Sequence, residues 1–228
     1  MNSQRPFQDR RDAGVQLAER VADLVLDQPI VLALPRGGVP VASEVADRIG
    51  APLDIWVARK VGAPGREEYG IGAIAEGGGA VFVERAIEAF GIDDDQLDEL
   101  VAAQQRELDR RVQHYRHDAE SPDVSGCDVV LVDDGLATGV TARAAIAGIR
   151  NSSPATLTLA VPVAAPSSAE SLAGSVDVIA IATPSGFGSV GEWFVDFSQT
   201  TDAEVVRLLD SNREATDRNR AGRHPGDI

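Results

Sequence analysis

Residues 29–38, PIVLALPRGG, and residues 129–135, VVLVDDG, each run apolar without alternation and then stop on a charged or glycine-rich loop. A strand with one wet face alternates polar and apolar positions, so a strand that does not alternate must be covered on both faces. Helices above and below a parallel sheet supply that cover. The intervening stretches carry the helical period. Ala13, Leu17, Val21 and Leu24 stripe residues 10–26, while Val41, Val45 and Ile49 follow Pro40 at a first helical position and Gly50 closes that helix. Leu97, Leu100, Val101, Leu108 and Val112 mark a long helix from Asp93 to about His117; Ala142, Ala145, Ile146 and Ile149 mark another. PLDIWVARK, ATLTLAVPV and VDVIAIATP read as further strands, with SSAESLAG a short helix between the last two. The expected fold is α/β, a parallel sheet of about five strands flanked by helices, in a single domain over residues 1–228 with its core at about 28–185.

VGAPGREEYGIGAIAEGGG is too glycine-rich and polar for core, so residues 61–80 are expected as a mobile loop, with a hairpin continuing into AVFVE. Thr201-Asp202-Ala203-Glu204 has capping-box spacing ahead of Val205, Leu208 and Leu209. The polar residues from about 212 to 228 are expected to form a disordered tail. Cys127 is the single cysteine, which excludes an internal disulfide and a structural zinc site. With 36 acidic against 21 basic residues the net charge is −15, which would repel phosphate polymers and argues against a nucleic-acid partner. No apolar run reaches the length of a membrane span and MNSQRPFQDRR lacks the apolar segment of a secretory leader, so a cytoplasmic location is expected. Lys60 is the one lysine. Coding bias or an acid-rich surface accounts for the arginines, but either pressure would also remove Lys60, which hints at a need for a compact ammonium there.

At the end of the second apolar run, Asp133 and Asp134 meet the edge where parallel sheets bind ligands. Thr138-Gly139-Val140-Thr141 follows at the start of the next helix, where bare amides and the helix dipole favour an anion. Two carboxylates repel a phosphate but accept well from hydroxyls. A ligand that satisfies both carries a phosphate at one end and a diol a few ångströms away, the layout of a ribose 5-phosphate.

VVLVDDGLATGVT, with its four apolar residues, two acids, spacers and Thr-Gly-x-Thr, resembles the phosphoribosyl-pyrophosphate (PRPP) signature of the type I phosphoribosyltransferases. The resemblance implies that Asp133 and Asp134 hold the ribose hydroxyls and that Ala137, Thr138, Gly139, Val140 and Thr141 cradle the 5-phosphate. It extends upstream, where Arg36, Gly37 and Gly38 match the family's pyrophosphate loop, and VARKVGAPGREEYG resembles the strand and catalytic lid. That makes Lys60, with Arg59, the expected pyrophosphate ligands; strand alternation lets only one of the two face inward, and Lys60 is favoured. The family fold also implies a small hood from the terminal segments and, in many relatives, a homodimer. Gly135 departs from a common branched residue, which would loosen the loop, and Val140 replaces a commonly smaller one, which would crowd the seat.

The implied reaction transfers the 5-phosphoribosyl group from PRPP to an undetermined nitrogenous acceptor and releases pyrophosphate, with Mg2+ held mainly by PRPP oxygens. A lid carrying Glu67, Glu68 and Tyr69 would exclude water, with either glutamate a candidate base. Phe187 or Trp193 could stack on a flat acceptor, although packing on the core is the commoner use of such residues. The alternative is a non-catalytic regulator that binds PRPP or a nucleotide. Two further patterns carry no chemistry on this reading. Gly186 to Gly191 satisfies G-x-G-x-x-G without a long helix to follow, and His114 and His117 with Asp118 are explained by a solvated helix face.

Overall fold

The structure, a computed structural model, describes residues 7–117 and 120–222. Strands β1 (Pro29–Ala33), β2 (Leu53–Ile55), β6 (Asp128–Val132), β7 (Thr156–Val163) and β8 (Asp177–Ala182) form one parallel sheet in the order β2-β1-β6-β7-β8. Five strands flanked by helices is the expected architecture. From β1 the chain crosses through α2 (Gly38–Ile49) to β2 on one side. From β6 it crosses through α5 (Val140–Asn151), β7 and α6 (Pro166–Ala173) toward the other. Connections therefore diverge between neighbouring β1 and β6, and a crevice opens at their carboxyl ends. PRGG and DDGLATG are the loops that leave those two ends.

Burial on both faces explains the unbroken apolar runs. Val31, Ala33, Val130 and Val132 face one core, shared with α1 (Arg10–Val21), α2 and the start of α7 (Asp202–Gly222). Ile30, Leu32, Val129 and Leu131 face a second core with α5 and α6. At roughly 1.5–3 kcal/mol per fully buried large aliphatic side chain, these two layers are the main source of stability. Gly50 takes the left-handed conformation (φ 65°) that ends α2, as its position predicts. Among the described residues no helix is long and apolar enough to cross a membrane.

Four expectations are corrected. The first helix ends at Val21, so Leu24 lies beyond it. PLDIWVARK is two strands in two sheets: β2 ends at Ile55, and β3 (Ala58–Ala63) begins a separate antiparallel sheet with β4 (Arg66–Ala75) and β5 (Gly79–Phe82). Residues 61–80 are thus largely the paired strands of this sheet rather than an open loop. The chain then forms a helix the periodicity reading omits, α3 (Glu84–Phe90), before the long α4 (Asp94–Arg116), whose Asp93 and Gln96 make a full capping box. Finally, the tail expected to lack order from about 212 is helical through Gly222; Asn212 is buried, accepting from the Leu53 amide at 2.7 Å and donating to the Ala51 carbonyl at 3.3 Å. Residues 223–228 of that expected tail lie outside the described residues.

Candidate functional site

The acid pair occupies the crevice between β1 and β6. Asp133 accepts the Asp134 amide on Oδ1 at 2.9 Å. Asp134 accepts Arg10 Nε on Oδ2 at 2.8 Å, and Nη2 of the same guanidinium lies 2.7 Å from that oxygen as an ion pair. The two neighbouring carboxyls also bond to each other through their side chains, and among the described residues Arg10 is the donor that reaches the pair from another element. Asp133 retains some exposure as a residue, but its carboxyl is enclosed, and this burial together with the Asp134 charge beside it holds its pKa well above the usual carboxylate range. The first glycines after β1 allow this crowding. An ideal Cβ on Gly37 would lie 2.0 Å from Asp134 Oδ2, and one on Gly38 would lie 2.7 Å from the Val132 carbonyl oxygen.

A raised carboxyl pKa in the folded state has a definite sign. Stability falls as pH rises from the unfolded value through the folded one, because the charge is tolerated less in the folded protein. Asp133→Asn is therefore expected to stabilise the ligand-free protein at pH 7. Denaturant titrations of both proteins between pH 4 and 8 check this, the gap closing toward acid.

The turn beyond the acids is pinned from three sides. Leu136 bonds to β7 and its continuation, donating to the Val163 carbonyl and accepting from the Ala165 amide at 2.8 Å each. Ser168 on α6 donates its hydroxyl to the Ala137 carbonyl, which fixes that peptide. Gly139 adopts φ 73° as the residue before α5. Ala137 and Thr138 are exposed, and among the described residues no acceptor outside α5 meets the amides of 137–141. The Val140 side chain packs against the second core, which removes the crowding its size implied.

The other expected residues are distributed unevenly. Arg36 projects toward the start of α7, its Nη1 3.8 Å from Asp202 Oδ1. Asp202 also accepts the Tyr115 hydroxyl, whose pKa burial and this bond push up to about 12. Arg59 donates to Gln104 on α4 at 3.2 and 3.3 Å and so occupies the face away from α5. Lys60 alternates to the other face, that of Ala58, which packs with α5; Lys60 is exposed and makes no ion pair among the described residues. Both lie within the antiparallel sheet, not at an edge of the main one. Glu67, Glu68 and Tyr69 are exposed on the outer half of β4. Phe187 and Trp193 pack as half-buried members of an aromatic cluster with Phe7 and Phe194.

That cluster brings residues 7–8 together with residues 193–196. Phe7 donates to the Trp193 carbonyl and accepts from the Val195 amide, and Asp196 donates to the Gln8 carbonyl at 2.8 Å. The same segment resolves the departure at Gly135. An ideal Cβ there would lie 2.5 Å from Val190 Cγ1 and 2.7 Å from Cγ2, so a side chain from the carboxyl-terminal segment fills the space and the loop is supported, not loosened. Gly135→Ala is expected to cost about 1–3 kcal/mol by overpacking, and Val190→Ala in the same chain to recover most of it. Thermal unfolding of the two single variants and the double variant measures the coupling.

Arg10, Ser168 and Val190 escape a reading of the sequence. Arg10 alone left a trace: it stands three residues before Ala13, in phase with the buried stripe of α1.

The family model described as Phosphoribosyl transferase domain matches residues 11–189. Two curated relatives from Mycobacterium tuberculosis strains, named provisionally as phosphoribosyl transferases, are 42% identical over 205 residues; the match takes 90% of this chain and 46% of each relative. This chain thus spans about half the length of those relatives. The crystal structure of TT1426 from Thermus thermophilus is similar at 43% identity and a TM-score of 0.76, covering 89% of this chain and 97% of that one. With the acid pair, the amide turn and the divergent sheet in one crevice, the chain belongs to the phosphoribosyl transferase domain family.

Proposed function

We propose that this site transfers the 5-phosphoribosyl group of PRPP to a nitrogenous acceptor and releases pyrophosphate. The observation that carries the reading is the pairing, on one loop, of two adjacent carboxyls with a helix start whose amides have no outside acceptor among the described residues. A vicinal diol and a terminal phosphate on one sugar fit those two features.

As the acceptor nitrogen bonds to the anomeric carbon, the bond from that carbon to pyrophosphate oxygen breaks and the electron pair leaves with pyrophosphate. The nitrogen sheds its proton to a base. Glu67 and Glu68 are candidates on β4, and Lys60, on the face of β3 turned toward α5, is the chain's candidate for the leaving charge. Closure of the β3–β4 hairpin as a lid would keep water from the cationic carbon. Asp133 and Asp134 would orient the ribose, and the amides of 137–141 its 5-phosphate. Among the described residues no three His, Cys, Asp or Glu side chains cluster as a metal cage. Asp133 and Asp134 beside a polyphosphate would suit Mg2+, an oxygen-seeking cation that would neutralise the departing charge. Phe187 and Trp193 are the candidates for contact with a flat acceptor.

The test is PRPP-dependent pyrophosphate release in Mg2+ across purines, pyrimidines and other nitrogen heterocycles. At least one acceptor should turn over, and Lys60→Arg should lower kcat by about tenfold or more with an unchanged Tm. Tight PRPP binding with no turnover on any acceptor would instead identify a regulatory binding protein.

A further inference from the structure

We propose that Arg10 is a positioning residue for the ribose subsite, holding Asp134 so that one carboxylate oxygen alone faces the sugar; this rests on the phosphoribosyltransferase reading above. The guanidinium is nearly enclosed, with 12% of its side chain exposed, whereas its neighbour Arg11 is 79% exposed. Its contacts converge on one geometry. Nε donates to Asp134 Oδ2 with Nη2 2.7 Å from the same oxygen as an ion pair, Nη1 donates to the Ser198 carbonyl, and the guanidinium carbon sits 3.9 Å above the centre of the Phe197 ring. A planar fork held on a ring and a carbonyl cannot follow the carboxylate if it turns, so it sets the rotation of Asp134.

Without that fork, Asp134 would stand next to Asp133 with nothing to fix its orientation. A carboxylate left free to rotate presents its oxygens to a diol in no single direction, so the ribose hydroxyls lose a preorganised acceptor. Both supports of the fork, Phe197 and Ser198, and Arg10 itself lie outside the family-matched residues 11–189. The segments that flank the matched stretch thus complete its ribose subsite, and the pairing of residues 7–8 with 193–196 brings them there.

The experiment measures binding of PRPP with Mg2+, of ribose 5-phosphate, and of inorganic phosphate as a competitor, in wild-type protein and in Arg10→Gln, Arg10→Lys and Phe197→Leu. Thermal unfolding without ligand reports on folding. Arg10→Gln is expected to weaken both sugar phosphates at least tenfold and to leave inorganic phosphate within twofold, since the amide turn is untouched. Arg10→Lys should recover little, because an ammonium cannot make the double contact and stack at once. Phe197→Leu should weaken the sugar phosphates by a smaller factor; it also serves if Arg10→Gln does not fold. Equal sugar-phosphate affinity in wild type and folded Arg10 variants overturns the role of Arg10 alone, as does an equal loss for inorganic phosphate, which would mark a general structural effect. Wild-type protein that binds neither sugar phosphate overturns the phosphoribosyltransferase reading itself.

Discussion

Replacing Arg116 by methionine is expected to destabilise the folded protein by about 3–5 kcal/mol, the cost of leaving buried carboxylates without their counter-ion. Arg116 closes α4 with a fully buried side chain. Its Nε donates to Asp54 Oδ1 at 3.0 Å, its Nη1 to Glu76 Oε2 and to the Ser121 hydroxyl, and its Nη2 to the Ile55 carbonyl. Glu76 in turn accepts the Val57 amide at 2.6 Å. Val57 and Glu76 are the two feet of the β3–β4 hairpin, so one guanidinium ties the end of β2, both feet and the end of α4 together. Burial already raises the Glu76 pKa, and Arg116 is the largest influence that opposes the rise, ahead of the Val57 amide. In Arg116→Met the folded pKa climbs further, and stability is then lost as pH rises from the unfolded carboxylate value through the higher folded one. The deficit relative to wild type should shrink toward pH 4.5, and Glu76→Gln added to the variant should recover part of it at pH 7. Denaturant unfolding across that pH range measures both effects. A deficit under about 1 kcal/mol at neutral pH would mean the cluster is hydrated in solution and holds the hairpin weakly.

The same two arginines show where a sequence stops being readable. Arg116 follows Leu108 and Val112 at four-residue steps, and Arg10 precedes Ala13 by three; both continue a buried stripe by one turn. Periodicity counts apolar residues, so it ends the stripe at the charge, although the charge is buried because partners distant in sequence neutralise it. Nothing local names those partners, since Asp134 is 124 positions from Arg10 and Asp54 is 62 from Arg116. Asn212 was hidden in the same way, its amide satisfied by backbone beside β2.

The parallel sheet was legible because burial on both faces writes an unbroken apolar run, and the placement of the acids and the turn at the end of β6 was legible because thirteen consecutive residues carry it. PLDIWVARK failed for the converse reason. Trp56 donates to the Ala33 carbonyl at 2.8 Å as though β2 continued, and the chain then leaves for another sheet with Trp56 and Val57 still buried. With no glycine or proline to mark the change, one apolar run reads as one strand. Contact between Val190 and Gly135 depends on the carboxyl-terminal segment folding back over the loop, which no spacing of residues reports.

Gly37→Ala is expected to weaken PRPP binding by roughly 10–100-fold, the range that follows from losing a hydrogen bond to a charged group, while costing the fold only about 1–3 kcal/mol. The backbone at Gly37 has φ −61° and ψ −33°, which alanine adopts without strain, so the effect is steric alone. Its new methyl would fall 2.0 Å from Asp134 Oδ2 and 3.2 Å from Arg10 Nε, the side chains whose mutual bond sets the acid pair. Asp134 must turn away or the loop after β1 must retreat, and either change misplaces the oxygen offered to the sugar. Gly50→Ala supplies the matched control. It is strained by its left-handed φ of 65° but meets no atom within 4 Å, so it should cost about 1 kcal/mol of stability and leave PRPP affinity unchanged. Calorimetric titration with PRPP and Mg2+, beside thermal unfolding of both variants, separates loss of fold from loss of site. If the two alanines weaken binding alike, contact between Gly37 and Asp134 does not govern the subsite, and the crevice between β1 and β6 must accept its ligand by other groups.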